Sequence, residues 1–328
     1  MKSPTESKTT KPSDKSKIAL VLPAYNEELT IGDTIEAFYK VRSDLFFVVV
    51  DNNSSDKTSQ VAQEAFTRLD IDGVIYRELR QGKGYAVRRA FQEVDADIYV
   101  MTDADMTYPA EALPDLLQVV LNGEADMVVG NRHHNQRYAS ENKRPFHNFG
   151  NHLVRKLINV LFTNDLKDIM TGYRVFTRRF VRLFPLMSPG FQLETEVTLH
   201  ALDKRYRIVE IPVDYLDRPE GSDSKLNTFR DGFRVLSTIL NVFRFFRPLS
   251  FFGAIAAMFF TSGLAAGAPV LIEFAETRYI THVPLAILAS GLGILGMVTV
   301  AIGLVLDALT KANAAQYELR VNAYSDKS

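Results

Sequence analysis

The fold of this chain is decided by Asp97-Ile98-Tyr99-Val100-Met101-Thr102-Asp103-Ala104-Asp105, a short apolar run that leads into two aspartates one residue apart. Neighbouring carboxylates repel each other unless a cation lies between them. Mg²⁺ and Mn²⁺ prefer oxygen ligands and often share them with substrate phosphates. Because open α/β sheets bind ligands at the carboxyl ends of their strands, the pattern predicts a metal-diphosphate site. For the motif taken alone, two acids in a solvated turn remain the alternative.

Short apolar runs alternate with helical patterns on both sides of this stretch, from Lys17 to about Val129. The predicted strands are 18–22, 45–50, 74–76, 98–101 and 126–129, and the predicted helices are 28–41, 56–69 and 85–94. This alternation predicts an α/β fold with a mostly parallel sheet flanked by helices. After Gly130 the alternation stops.

The composition excludes several classes of site. The chain has no cysteine, so disulfides, thiolate metal sites and cysteine nucleophiles are ruled out. Its 38 basic and 39 acidic residues give a net charge of −1, which offers no support for nucleic-acid binding.

Two uncharged runs near the end of the sequence, Pro248–Ile272 and Val283–Leu306, predict a pair of membrane-spanning helices. Each exceeds the roughly 20 apolar residues needed to cross a bilayer. A buried hairpin in a soluble protein is the alternative, but it would need a very large core to cover it. Arg244 and Arg247 precede the first run and Lys311 follows the second, so the positive-inside rule predicts cytoplasmic termini and a cytoplasmic N-terminal domain.

An aromatic face flanked by arginines precedes the first apolar run and predicts an amphipathic helix in the lipid headgroup layer, although an ordinary core-facing helix shows the same pattern. A similar face at 146–161 is equally compatible with membrane or core. The predicted organisation is a disordered N-terminal tail (1–16), the α/β domain (17–228), the amphipathic juxtamembrane helix (229–248), two transmembrane helices (249–310) and a cytoplasmic C-terminal tail (311–328).

Polar residues follow the first two strands, as Pro23-Ala24-Tyr25-Asn26-Glu27 and as Asp51 to Asp56. Both clusters are expected at the sheet edge that holds Asp103, where an acid can accept hydrogen bonds from a nucleobase or ribose. Asp56 alone is more typical of a helix N-cap. Gln81-Gly82-Lys83-Gly84 lacks the third glycine of a dinucleotide fingerprint, so it predicts a loop where Lys83 or the backbone approaches a phosphate.

Seven motifs occur in order along the chain: Pro23 to Glu27, Asp51 to Asp56, Gly82-Lys83-Gly84, Asp103-Ala104-Asp105, Gly130-Asn131-Arg132, Thr171-Gly172-Tyr173-Arg174 and Arg218 to Lys225. The ordered set resembles the family-2 glycosyltransferases of the Rossmann-like GT-A fold. More narrowly, it is similar to the polyprenyl-phosphate sugar synthases of the dolichyl-phosphate mannose or glucose synthase type. The resemblance runs from about residue 17 to residue 240.

The resemblance implies roles for individual residues. The nucleoside would be held by Pro23, Tyr25, Glu27 and Asp51, the metal and donor diphosphate by Asp103, Ala104, Asp105 and Thr107, the acceptor phosphate by Arg132 and Arg144, and the phosphates further by Lys83, Arg174, Arg218 and Lys225. For Arg174 a structural salt bridge is an equal alternative. Two positions depart from the family pattern, because Asn52 stands where members often have a second acid and Thr107 where many have glutamine.

The implied activity is an inverting, single-displacement transfer of a sugar from a UDP- or GDP-linked donor to a membrane polyprenyl phosphate, with Mg²⁺ or Mn²⁺. A lipid phosphate is already anionic, so no catalytic base is expected, and His133 and His134 lack a third zinc ligand at suitable spacing. A processive polysaccharide synthase is an alternative, but its Gln-x-x-Arg-Trp motif needs a tryptophan, and the chain has none. The second alternative is a non-catalytic scaffold that binds nucleotide-sugars. Self-association through small residues in the membrane helices remains open.

Overall fold

The computed structural model describes residues 16–134, 155–156, 158–162, 164–185, 193–216 and 240–325. The chain divides into two compact units, Met1–Asp231 and Gly232–Ser328. Arg144, Arg218 and Lys225, together with the side chain of His134, lie outside the described residues.

The first unit is built on the strands and helices that alternate along its sequence. In chain order they are β1 (Ile18–Ala24), α1 (Ile31–Val41), β2 (Phe46–Asp51), α2 (Thr58–Leu69), β3 (Gly73–Arg77), α3 (Lys83–Glu93), β4 (Ile98–Met101), α4 (Leu113–Leu121), β5 (Met127–Asn131), β6 (Arg174–Thr177), α5 (Arg178–Leu183), α6 (Leu193–Asp203) and β7 (Ile208–Pro212). Every strand and helix predicted before Gly130 is confirmed, with its ends shifted by a few residues at most. The elements from β6 onward were not predicted.

The strands form a seven-stranded sheet in the order β3-β2-β1-β4-β6-β5-β7. β1 pairs in parallel with β2 and β4, β2 with β3, and β5 with β7. Only β6 runs antiparallel, to β4 and β5, among the strands of this sheet. The prediction of a mostly parallel sheet is therefore confirmed, and the carboxyl ends of β1, β2 and β4 lie side by side.

Both faces of the sheet are covered by helices, so the strands are apolar at nearly every position. Successive side chains of a strand point to opposite faces. In β1, Leu20 and Leu22 pack on the side of α1, α2 and α4, whereas Ala19 and Val21 pack on the side of α3, α5 and α6. These two layers fix the strand ends in position.

The second unit contains two long apolar helices, α7 (Pro248–Thr277) and α8 (Val283–Ser325), each long and apolar enough to cross a membrane. They pack as an antiparallel pair. A Cβ added at Gly296 would lie 2.8 Å from Phe260, and one at Gly303 would lie 3.0 Å from Phe252, so these glycines permit the close approach. The two predicted spans thus form a helical hairpin.

Two features of this unit extend the sequence prediction. α8 continues without a break to Ser325, beyond the predicted end of the transmembrane helices at residue 310 and through most of the predicted C-terminal tail (311–328). Residues 240–246 are helical, as predicted for the C-terminal part of the juxtamembrane helix, while 229–239 lie outside the described residues.

Candidate active site

The carboxyl ends of three adjacent parallel strands bring the predicted site residues to one edge of the sheet. Ala24 at the end of β1 pairs with Asp51 at the end of β2. Met101, the last residue of β4, pairs with Val21 of β1, so Asp103 follows on the same edge. The structure therefore brings together the segments that start at Pro23, Asp51 and Asp103.

Asp51 is a buried, hydrogen-bonded carboxylate. It is 4% exposed and accepts from the Ser54 backbone N–H at 2.8 Å and the Ser59 hydroxyl at 2.5 Å. Burial alone would raise the pKa of Asp51, but the hydrogen bonds from Ser54 and Ser59 contribute to a net lowering. The group is therefore ionised at neutral pH.

The neighbouring residues at this edge are tied to α2. The Glu27 backbone N–H donates to the Thr58 hydroxyl at 2.8 Å, and Tyr25 and Pro23 are partly exposed beside it. Asp56 accepts from the Thr58 backbone N–H at 3.0 Å, but the N-cap of α2 is Lys57, so Asp56 stands one residue before the cap and is not the N-cap that the sequence led us to expect.

Asn52 connects the end of β2 to the glycine loop that precedes α3. Its amide nitrogen donates to the Arg80 carbonyl at 2.7 Å, and its amide oxygen accepts from the Gly82 backbone N–H at 2.6 Å. The side chain is 3% exposed, so both ends of the amide are used inside the protein. Asn52 thus sets the position of the loop from which Lys83 extends.

Replacing Asn52 with Asp should destabilise this connection. A carboxylate can still accept from Gly82, but its second oxygen would face the Arg80 carbonyl without a proton to donate. We expect a loss of about 1–3 kcal/mol in the free energy of unfolding, measured by urea denaturation. Asn53→Asp is the matched control, because the adjacent Asn53 is exposed and the change in charge is the same. Equal stability of the two variants would contradict the role given to Asn52.

Lys83 lies between two carboxylates. Its Nζ is 2.5 Å from Asp103 Oδ1 and 2.6 Å from Glu194 Oε1. Burial alone would lower the pKa of Lys83, but the charges of Asp103 and Glu194 outweigh it and raise the pKa well above its usual value. The ammonium group is therefore held in its charged form. Glu194, from α6, was not among the predicted site residues.

The loop that carries the two aspartates is anchored through its backbone. The Ala104 carbonyl accepts from the hydroxyls of Thr30 at 2.8 Å and Thr34 at 3.2 Å, both at the start of α1. Asp105 is 3% exposed, and its Oδ1 accepts from the Thr107 hydroxyl at 2.5 Å. Thr107 thus lies directly beside the second carboxylate.

Gly172 packs against the carboxylate of Asp103. A Cβ added there would lie 2.7 Å from Asp103 Oδ2, closer than real Cβ contacts, and 3.1 Å from its Cγ. The Gly172 backbone N–H donates to the Tyr108 hydroxyl at 2.8 Å. The absence of a side chain at this position is therefore what lets the segment lie against Asp103.

Arg174 lies beneath this segment and is completely buried. Its guanidinium donates to the carbonyls of Thr171 at 3.0 Å and Ile169 at 2.8 Å, and to the Thr198 hydroxyl at 2.9 Å. Burial lowers its pKa to about 10. Arg174 therefore supports the 169–172 segment. The described oxygen partners of its guanidinium are carbonyl and hydroxyl groups and the residue has no exposed surface, so the arrangement fits neither a phosphate contact nor a simple salt bridge.

Arg132 forms a buried pair with Asp168. Its Nε is 2.7 Å from Asp168 Oδ2, and one terminal nitrogen is 3.0 Å from Oδ1. Burial would raise the pKa of Asp168, but the Arg132 charge and hydrogen bonds hold it below its usual value. The Arg132 guanidinium also lies 5.4 Å from the Tyr215 ring, whose centroid is 5.5 Å from that of Tyr108. Arg132 is thus connected through aromatic rings to the Gly172 segment.

His133 lies beside this pair. Its Nε2 is 4.0 Å from Asp168 Oδ1, and burial lowers its pKa, so the ring is neutral at pH 7.

The donor set at Asp103 and Asp105 suits a hard divalent cation. Among the described residues no group of three or more His, Asp or Glu side chains is placed to hold a metal. Two carboxylates and the nearby Thr107 hydroxyl are nevertheless a fitting partial set, because Mg²⁺ usually takes one or two carboxylates and completes its shell with water and substrate phosphates. Asp103 and Asp105 could therefore hold such an ion together with a diphosphate.

Comparisons with known proteins agree with this geometry. The family described as Glycosyl transferase family 2 matches residues 19–184. Glycosyltransferase AglJ of Haloferax volcanii is 27% identical, with 91% of this chain and 95% of that protein covered. A dolichyl-phosphate hexose transferase of the same organism is 29% identical over 69% of this chain and 93% of that protein. A dolichol-phosphate mannosyltransferase of Pyrococcus furiosus is 29% identical over 64% of this chain and 59% of its own length.

Among solved structures, glucosyl-3-phosphoglycerate synthase of Mycobacterium tuberculosis superposes with a TM-score of 0.53 at 22% identity, over 69% of this chain and 81% of that one. The same protein in complex with Mn²⁺, UDP and phosphoglyceric acid gives a TM-score of 0.52 at 21% identity. This likeness confirms the expected GT-A type of fold.

Proposed function

Because the chain belongs to glycosyl transferase family 2, we propose that it transfers a sugar from a UDP- or GDP-linked donor to a membrane polyprenyl phosphate, with inversion and with Mg²⁺ or Mn²⁺. The observation that carries this proposal is the combination in one chain of the Asp103–Asp105 pair at the sheet edge and two helices able to cross a membrane. Relatives named dolichol-phosphate mannosyltransferase and dolichyl-phosphate hexose transferase support it.

The donor would bind along the carboxyl edge of β1, β2 and β4. Pro23, Tyr25, Glu27 and the ionised Asp51 would hold the nucleoside. Asp103 and Asp105 would hold the metal with the diphosphate, and Lys83 would add a positive charge there. When bound, a divalent cation stabilises the negative charge that develops on the departing nucleoside diphosphate. The Mn²⁺ and UDP of the mycobacterial structure are consistent with this site.

The acceptor phosphate needs no general base, because it is already ionised at neutral pH. Positioning and charge stabilisation are then the main contributions of the protein. Asp168 fixes the orientation of Arg132, which would meet the acceptor phosphate together with Arg144, while Arg218 and Lys225 would contact the phosphates. Arginine suits this task because its planar guanidinium binds phosphate through two hydrogen bonds.

The second unit would serve the lipid acceptor. The polyprenyl tail lies in the hydrocarbon and its phosphate lies at the bilayer surface, so an enzyme that uses it benefits from a membrane anchor. We propose that the catalytic unit lies on the cytoplasmic face. Arg244 and Arg247 precede the first span and Lys311 follows the second, and basic residues that flank spans favour the cytoplasmic side.

The test is a transfer assay with the full chain in detergent, using a panel of UDP- and GDP-sugars with polyprenyl phosphate and Mg²⁺ or Mn²⁺. A polyprenyl-phosphate monosaccharide, identified by mass spectrometry and absent without the lipid or with a chelator, is the expected product. Polymer formed without lipid would favour a processive synthase instead. Nucleotide-sugar binding without turnover would favour a scaffold.

Cutting the chain after Arg247 should separate chemistry from anchoring. The compact first unit ends at Asp231, so the shortened protein retains that unit. We expect nucleotide binding within about twofold of the full chain, but a loss of at least about tenfold in transfer to lipid in liposomes, because the protein no longer concentrates at the membrane. A water-soluble short-chain acceptor serves as the control and should be used almost equally by both proteins. Undiminished activity on liposomes would refute the anchoring role.

A further inference from the structure

We propose that Lys83 is a built-in counter-ion of the acidic site, whose ammonium neutralises Asp103 while no donor is bound and so makes tight binding of a divalent cation depend on the donor diphosphate. The inference rests on the proposed function for the identity of the donor. It assigns roles to Lys83 and Glu194 that the metal site alone does not require.

The first support is the position of the ammonium. Lys83 Nζ contacts Asp103 at 2.5 Å and Glu194 at 2.6 Å, and the three side chains come from α3, the loop after β4 and α6. The side chains of Lys83 and Glu194 are only 11% and 8% exposed. The carboxylate expected to bind a cation is therefore already paired with one that belongs to the protein.

The second support is that Asp103 has little freedom to turn away. Gly172 closes one side of its carboxylate, since a Cβ at that position would be 2.7 Å from Oδ2. Lys83 closes the other side. Lysine has a flexible four-carbon stem and readily changes partners, so the ammonium is the part of this cluster that can move. Glu194 offers it a second carboxylate when its contact with Asp103 is released.

The third support is the balance of charge. Asp103, Asp105 and Glu194 carry three negative charges and Lys83 carries one positive charge, which leaves about −2 at neutral pH. This charge still attracts a divalent cation, but more weakly than the charge of about −3 that the cluster would carry without Lys83, because the ammonium repels a second cation placed at the same carboxylate. The negative diphosphate offsets this repulsion, so the metal and the nucleotide should bind together.

The experiment measures Mn²⁺ binding to the full chain in detergent by electron paramagnetic resonance of the free ion, without nucleotide and with saturating UDP or GDP. Lys83→Met should bind Mn²⁺ about tenfold more tightly than the unaltered protein when no nucleotide is present, because the competing charge is gone. The gain in affinity on adding the nucleotide should shrink. Lys83→Arg keeps the charge and should bind Mn²⁺ in the absence of nucleotide as the unaltered protein does.

A double variant separates the ammonium contact from net charge. Lys83→Met with Glu194→Gln leaves only Asp103 and Asp105 charged in the cluster, so its net charge equals that of the unaltered site. We expect it to retain tighter nucleotide-free Mn²⁺ binding. It also replaces a buried ion pair by neutral groups, which provides a folded variant should Lys83→Met alone unfold. Lys40→Met is the matched control, since Lys40 is an exposed lysine on α1.

The inference is overturned if the double variant binds Mn²⁺ without nucleotide no more tightly than the unaltered protein. In that case, tighter nucleotide-free Mn²⁺ binding by Lys83→Met alone would show that the affinity follows the net charge of the cluster and not the contact between Lys83 and Asp103. The nucleotide-free measurement involves no sugar or lipid. A failure of the transfer assay and a failure of this inference are therefore distinguishable.

Discussion

Replacing Asp105 with Ala is expected to lower the kcat/KM of sugar transfer by about a hundred- to a thousandfold and to abolish metal-dependent nucleotide binding. Asp105 is one of the two carboxylates, with Asp103, that we propose hold the metal, and the loss of an electrostatic group at the reacting centre has effects of this size. The measurement is steady-state kinetics across a range of Mn²⁺ concentrations, with calorimetry of nucleotide binding.

Two further variants make this result interpretable. Asp105→Asn keeps an oxygen that accepts from the Thr107 hydroxyl, so it should retain stability better than the alanine variant while losing activity just as severely. Asp115→Ala removes an exposed carboxylate from the first turn of α4 and should leave activity unchanged. Near-normal turnover of either Asp105 variant would refute the metal role of this residue.

Replacing Gly172 with Ala is the second change from which we expect a large loss, of about a hundredfold in kcat/KM. The added methyl group would lie 2.7 Å from Asp103 Oδ2, so the carboxylate or the 169–172 segment must shift. Small overpacking changes typically cost about 1–3 kcal/mol of stability, so the variant should still fold. Steady-state kinetics measures the loss of activity, and thermal unfolding shows whether the variant is still folded at the assay temperature.

Gly32→Ala is the appropriate control for this change. A Cβ at Gly32 would have only Val61 of α2 within 4 Å, at 3.2 Å, and would lie far along the chain from the Asp103 loop. Gly32→Ala should have a melting temperature close to that of the unaltered protein and should retain full activity. If Gly172→Ala also retained full activity, Asp103 would not need the position in which the structure holds it.

The strands in the first half of the domain could be predicted because each one is marked by a short apolar run in its own sequence. β1, β2 and β4 are buried on both faces, and such strands are recognisable as short hydrophobic runs between helical patterns. β6 begins with Arg174, and β7 contains Glu210, so neither shows that pattern. Arg174 is satisfied by the carbonyls of Thr171 and Ile169, and Glu210 accepts from the backbone N–H groups of Lys167 and Asp168. These partners exist only in the folded chain.

The site shows the same division. The segments at the ends of β1, β2 and β4 could be placed together from strand order, since parallel strands end at a common edge. Glu194 could not, because it meets Lys83 across 111 positions of sequence, and neither could Asp168, which meets Arg132 across 36. A charged residue near the start of a helix gives no local sign of a distant partner. Asn52 is a third case. The family resemblance showed that an amide stands where an acid is common, and the structure shows that this amide both donates to the Arg80 carbonyl and accepts from the Gly82 N–H.

The unbroken course of α8 to Ser325 has a practical consequence for determining the topology of the protein. At about 1.5 Å per residue, the stretch from Leu306 to Ser325 is a rod of roughly 30 Å, comparable with the thickness of the bilayer hydrocarbon. The chain contains no native thiol, so a single Ala315→Cys change would place one reactive group on an exposed face of that rod. Labelling of sealed vesicles with an impermeant maleimide would then report on which side of the membrane the rod projects.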